Sequence, residues 1–262
     1  MAFEAVLLGF GVWVFDPEGI AWLVRGGFGK GILSRSQPSF FRTGGERAVS
    51  SGEKSVLREP FHAKRAAPRL KSGLDGGVEQ LQVSFLECFF LHDTTESLSI
   101  RLGDVLGTPR GEPLSKEDLW SALVTRGGER FVIDYCAYCH YRTMGWVVRG
   151  GLKYGVDFIL YSKGGPLVKH GELAVRIQVE GSEPLPDGSP STTFLTADQI
   201  NRLSDLQSLS RVTETVSKGL LLCLVSWEEG GTSPTWSSPS IMSKMKIKDH
   251  IVRRWDPSKT RE

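Results

Sequence analysis

The sequence predicts an α+β fold: a small N-terminal α/β module followed by a C-terminal mixed sheet flanked by helices. Three observations lead there. Apolar β-formers open the chain over 5–15, helical periodicity fills much of 83–144, and short β-rich runs dominate from 146 onward. At 262 residues the chain can hold one large domain or two modest ones, each with a real core. We divide it into 1–128, the module, and 129–262, the second domain.

Taken in order, the apolar run at 5–15 stops at Asp16-Pro17-Glu18-Gly19, a turn signal, and a short helix follows over 20–25. Residues 43–78 are poor in large apolar side chains and rich in Gly, Ser, Lys and Arg. Such a composition cannot offset the entropy of ordering, so the stretch reads as a flexible basic insertion. Its cluster of Lys64, Arg65, Arg69 and Lys71 reads first as a solvated face. Helices are expected at 83–91, at 116–124 with Ser115 as N-cap, and at 130–144 with Gly145 as C-terminal cap. Strands follow at 146–149, 156–161 and 172–179. A polar loop covers 181–193. Thr196 and Gln199 then read as a capping box, stapled by Leu195 and Ile200, for a helix ending at Gly219. Strands at 220–226 and 244–255 close the chain.

The 32 basic and 30 acidic residues leave a net charge of +2, so any contact with nucleic acid must come from a local patch. No apolar run reaches the length of a bilayer span. The N-terminus carries no basic leader, and a secretory signal is not expected. Four cysteines are too sparse for a disulfide scaffold and fit a reducing compartment.

Two motifs invite chemistry. Cys136-Ala137-Tyr138-Cys139-His140 spells CxxCH, the haem-attachment word. Both cysteines sit on the apolar face of a helix, where a thiol behaves as a small hydrophobe, and we read the word as chance. The stretch GLKYGVDFILYSKGGPLVKH over 151–170 places Tyr161 at a strand end and His170 across a Gly-rich loop. Lys218 lies at the end of a later helix. Alone, each has an ordinary reading: an exposed imidazole, or a cation complementing a helix C-terminus. Spacing permits a shared site and does not prove one.

The wording of the chain goes further. GLKYGVDFILY followed by a His, YRTMGWVVRGGLKYG at 141–155 and LSRVTETVSKGLLLCLV at 209–225 resemble the catalytic core of the tRNA-splicing endonuclease family. GFGKGILSRSQPSF at 27–40, VSFLECFFL at 83–91 and SLSI at 97–100 are similar to its eukaryotic catalytic subunit, which cuts the 5′ splice site. The resemblance implies that Tyr161, His170 and Lys218 are the catalytic set. It implies that Arg211 and Trp255 clamp the flipped base of the RNA bulge. It further implies metal-free cleavage of pre-tRNA without a cofactor, giving a 2′,3′-cyclic phosphate and a 5′-hydroxyl.

The implied chemistry suits these groups. The 2′-hydroxyl is tethered beside its phosphate, so alignment and proton transfer are the protein's tasks. Tyr161 would accept the 2′ proton. With an ordinary pKa of about 10 it needs a cation such as Lys218 to lower it. His170 would protonate the departing oxygen. The partners implied are intron-containing pre-tRNA, a second catalytic subunit and two non-catalytic ones. The strand at 244–255, with Met245, Ile247 and Ile251 alternating, is the candidate interface, and the nucleus the expected location. The short N-terminal region predicts the lack of an element gripping the mature domain of the tRNA. The alternatives are the 3′-site subunit, or a non-catalytic assembly subunit.

Overall fold

Apolar alternation at the N-terminus builds a hairpin: β1 (Phe3–Leu8) pairs antiparallel with β2 (Gly11–Val14). The computed structural model describes residues 2–9, 11–31, 80–104, 107–179, 203–227 and 236–253. The expected insertion at 43–78, the polar loop at 181–193, the capping box at 196–199 and Trp255 lie outside these residues.

Helix α1 (Pro17–Arg25) starts earlier than its apolar pattern predicts, because Asp16 caps it and accepts a 2.6 Å bond from the Gly19 amide. It buries Ile20, Leu23 and Val24. Strands β3 (Lys30–Gly31) and β4 (Leu81–Val83) follow, and β4 pairs with β2. Helix α2 (Phe85–Asp93) begins two residues later than predicted. Leu81–Val83 belongs to the sheet, and Ser84 and Glu87 form a reciprocal capping box. Strands β5 (Leu98–Gly103) and β6 (Pro109–Arg110), not foreseen as strands, complete a sheet ordered β3-β4-β2-β1-β5-β6, with β1 and β5 parallel.

The two helices expected at 116–124 and 130–144 are present as two segments of α3 (Lys116–Thr143), separated by a kink at Gly128. There φ is 64° and ψ −168°, a conformation open essentially to glycine alone. The helix ends as predicted on Gly145, with φ 88° and amides of Gly145 and Trp146 donating back to Arg142 and Tyr141.

The second sheet runs β11-β10-β9-β8-β7. Its strands are β7 (Val147–Gly150), β8 (Phe158–Tyr161), β9 (Leu173–Val179), β10 (Gly219–Trp227) and β11 (Met245–Val252). Strands β9 and β10 are parallel and the other pairs antiparallel. The sheet is therefore mixed, as the sequence predicts. Helix α4 (Leu203–Thr215) supplies the crossover into β10.

One face of this sheet, through Val148, Phe158, Leu160, Val175, Ile177, Cys223 and Val225, joins the main core with α3. The opposite face, through Ile159, Ala174 and Leu220, packs with Leu209 of α4. The main core is continuous from the first sheet to the second. Phe89, Trp120, Phe131 and Tyr135 stack edge-on and face-on at its centre, with centroids 4.9 to 5.9 Å apart. Of the three apolar residues expected at an interface on β11, Met245 and Ile247 pack against the chain's own core. Only Ile251 is left outside, at 57% exposure.

Candidate active site

Sheet topology decides which side chains can meet. Strand β8 runs antiparallel to β9, and β9 parallel to β10, so the last residue of β8 and the approaches to β9 and β10 share one edge. Tyr161 ends β8. Gly171 and Glu172 lead into β9, and Lys218 leads into β10.

The return from Tyr161 to Gly171 is shaped by Gly164 (φ 99°) and Gly165 (φ 61°). Bonds from the Gly165 amide to the Ser162 carbonyl and from the Lys169 amide to the Gly165 carbonyl, both 3.0 Å, hold it. The Glu172 amide donates to Leu160 at 2.8 Å and closes the loop. Gly171 sits against the phenol: a side chain there would collide with Ile159 and lie 3.3 Å from Cζ of Tyr161.

Lys218 arrives by a helix-stop device. Ser217 takes the left-handed position (φ 54°) that glycine usually fills, and the Ser217 and Lys218 amides donate to Glu214 and Thr213 at 2.9 Å. The Lys218 ammonium then donates to the Gly171 carbonyl at 3.0 Å and to the Val216 carbonyl at 3.4 Å. It also lies 5.6 Å from the centroid of the Tyr154 ring. Phenol and ammonium thus flank Gly171, the residue after His170. The His170 side chain is exposed and forms no hydrogen bond to the described residues.

The electrostatics correct one expectation. Burial pushes the Tyr161 phenol above its ordinary value, and Tyr154 adds to this; Arg149 is the cation that pulls it down. Lys218 is not among the charges that set this balance; its ammonium donates to the Gly171 and Val216 carbonyls. Tyr154 and Arg149 are site neighbours that sequence reasoning missed, although both lie within the 141–155 motif.

Arg211 is exposed on α4, one turn before the helix ends, and among the described residues forms no hydrogen bond to any of the three. The CxxCH word proves structural: burial raises Cys136 to about 11 and Cys139 to about 12, keeping both as thiols. His140 bonds to Asp249 of β11 at 3.0 Å, and Asp249 also accepts from Tyr141 at 2.7 Å.

Known proteins resemble this chain over most of its length. The family described as tRNA intron endonuclease, catalytic C-terminal domain, matches residues 131–233. The chain is 31% identical over 195 residues to tRNA-splicing endonuclease subunit Sen2-1 of Arabidopsis thaliana, covering 74% of this chain and 72% of that one. It is 34% identical over 183 residues to subunit Sen2 of Mus musculus, covering 70% of this chain and 36% of the relative. With subunit Sen2 of Gallus gallus it shares 32% over 221 residues, 82% of this chain and 41% of that one. The chain therefore spans well under half the length of these two animal relatives.

Proposed function

The chain belongs to the tRNA-splicing endonuclease family, and from that premise we propose that it is the catalytic subunit cutting pre-tRNA at the 5′ splice site. The observation that carries this reading is the meeting of three strand ends, where Tyr161 and Lys218 lie either side of Gly171, next to His170. In the proposed reaction the 2′-oxygen bonds to phosphorus and the bond to the 5′-oxygen breaks. Tyr161 accepts the 2′ proton, and His170 gives one to the departing oxygen. Because burial holds the phenol protonated in the free protein, the productive ionisation state is a minority form. Lys218 offsets the negative charge gathering on the phosphorane.

Arg211, exposed on α4, is assigned to the bulge base together with Trp255; a guanidinium and an indole hold an unpaired base by stacking, whatever its sequence. No metal or cofactor enters the proposal, since the nucleophile is internal and the proton carriers are side chains. We keep the division at 128/129, where Gly128 breaks α3, as that between module and nuclease domain, the two sharing one continuous core. The proposed partners are a second catalytic subunit and two non-catalytic ones, meeting this chain at the outer edge of β11, and the proposed location is the nucleus.

Reconstitution tests the assignment. With all partners present, His170→Ala should abolish the 5′ cut, spare the 3′ cut, and the wild-type reaction should proceed in EDTA. Persistence of both cuts in the variant would refute the catalytic reading.

A further inference from the structure

A cleft of about 320 Å³ opens between the N-terminal module and the loop that joins Tyr161 to His170. Its walls come from three distant parts of the sequence. Arg25 and Gly26 end α1, Arg142 lies in the last turn of α3, and Lys163 and Gly164 belong to the loop itself. Trp146 lines it too, half-buried, and among the described residues no carboxylate does. Neither Arg25, Arg142 nor Lys163 forms an ion pair with a described carboxylate.

The cleft is built rather than incidental. Arg142 is held in place, its guanidinium 4.0 Å from the centroid of Phe28 and 5.6 Å from that of Phe90, with a 3.4 Å bond to the Gly26 carbonyl. The opposite wall is fixed as well, because buried Gly165 leaves a side chain only 3.2 Å from Val147. Three cations facing one concavity with no counter-charge among the described residues repel one another, and an anion with several oxygens resolves that repulsion.

The position of the cleft says which anion. Lys163 is two residues from Tyr161, so their Cα atoms lie within about 7 Å, roughly one or two nucleotides along a strand. An RNA strand threaded past Tyr161 therefore carries its neighbouring phosphate to Lys163. The volume is at the lower end for small-ligand sites, enough for part of a nucleotide. Trp146 offers a stacking face for the attached base.

We infer that this cleft binds a backbone phosphate of the RNA strand beside the scissile nucleotide, with Arg25, Arg142 and Lys163 as positioning residues. The inference rests on the nuclease reading above. It gives the N-terminal module a direct hold on substrate through Arg25.

The test uses the complex assembled with its partner subunits and carrying His170→Ala, and its probe is intron-containing pre-tRNA with 2′-deoxynucleotides at both splice sites, which neither catalytic subunit can cut. Binding is measured from 50 to 200 mM salt. Lys163→Gln and Arg25→Gln should each reduce the slope of log affinity against log salt by about 0.7, and the pair by about 1.4. Lys163→Arg should restore the wild-type slope. A structural defect would weaken binding at every salt concentration and leave the slope alone. An unchanged slope in the double variant overturns the inference. Cleavage of the unmodified pre-tRNA by the complex carrying the wild-type chain is the separate control. If it does not cut, the nuclease reading falls and this inference with it; if it cuts while the slopes coincide, only the cleft falls.

Discussion

A methyl group at position 171 has nowhere to go: Ile159 stands in its path and the ring of Tyr161 is 3.3 Å away. The glycine is needed because its α-carbon backs the phenol and Ile159, while its carbonyl, as any residue's could, receives the Lys218 ammonium. Gly171→Ala should push the phenol aside by a fraction of an ångström and lengthen the bond to Lys218. Misplacement of about 1 Å at a reacting group costs roughly 10²-fold in rate. Single-turnover cleavage by the reconstituted complex is the measurement, with circular dichroism confirming that the fold survives. A variant that keeps the wild-type rate would show that Tyr161 and Lys218 do not act together. Tyr161, His170 and Lys218 could be nominated as candidates from the sequence because they stand in recognisable words. The engagement of Lys218 with Gly171, and the burial that raises Tyr161, were not legible there. Both depend on the register of β8, β9 and β10, which pairs residues 13 to 17 positions apart between β8 and β9 and 46 apart between β9 and β10.

At the scale of elements, α3 is docked on the second sheet by charge as well as by apolar packing. Arg130 bonds Asp134 at 2.7 Å and Asp157 at 2.7 Å, and Asp157 also faces Arg176 at 3.6 Å. Burial raises the Asp134 carboxyl to about 7, more than Arg130 lowers it, and the charge of Asp157 adds to the rise. The folded protein thus holds this proton more tightly than the unfolded chain does. Its contribution to stability is full below the unfolded value near 4 and is lost as pH rises through about 7. Asp134→Asn cannot ionise, so its stability relative to wild type should improve steadily between pH 4 and 7. Urea midpoints across that range check this, and a constant difference between the two proteins would contradict it. The same helix shows where local reading stopped. Two helices were expected at 116–124 and 130–144 and the backbone does break between them at Gly128, but the packing of Trp120 on Phe131 across that break was not foreseen. Strand β5 escaped notice for a related reason, since LSIRLG gains its strand character by pairing with β1, some 95 residues away. The elements legible in sequence were those with their own caps and periodicity.

Across the whole molecule, the module and the nuclease sheet are tied through one carboxylate. Glu87, 6% exposed, accepts from the Gly29 amide at 3.0 Å and from Ser84, and pairs with Arg149 of β7 at 3.3 Å. Arg149 also donates to the Gly29 carbonyl at 2.6 Å. The GFGKG turn is thereby pinned to the strand beside β8, and the cation that pins it is the one that lowers the Tyr161 phenol. Anchorage of the module and acidity at the candidate site are consequently coupled through Arg149. Arg149→Met should leave Glu87 buried without its cation, lowering stability by about 3 kcal/mol in a denaturant titration. It should also move Tyr161 further upward, away from ionisation. For a phenol raised in the folded state, stability is present below about pH 10 and lost as pH passes the folded value, so this change carries that loss to higher pH. Carbon-13 NMR titration of labelled tyrosine, assigned with Tyr161→Phe, reads the shift directly. If the Tyr161 signal titrates as in wild type while stability falls, Arg149 is an anchor alone, and the module has no electrostatic hold on the site.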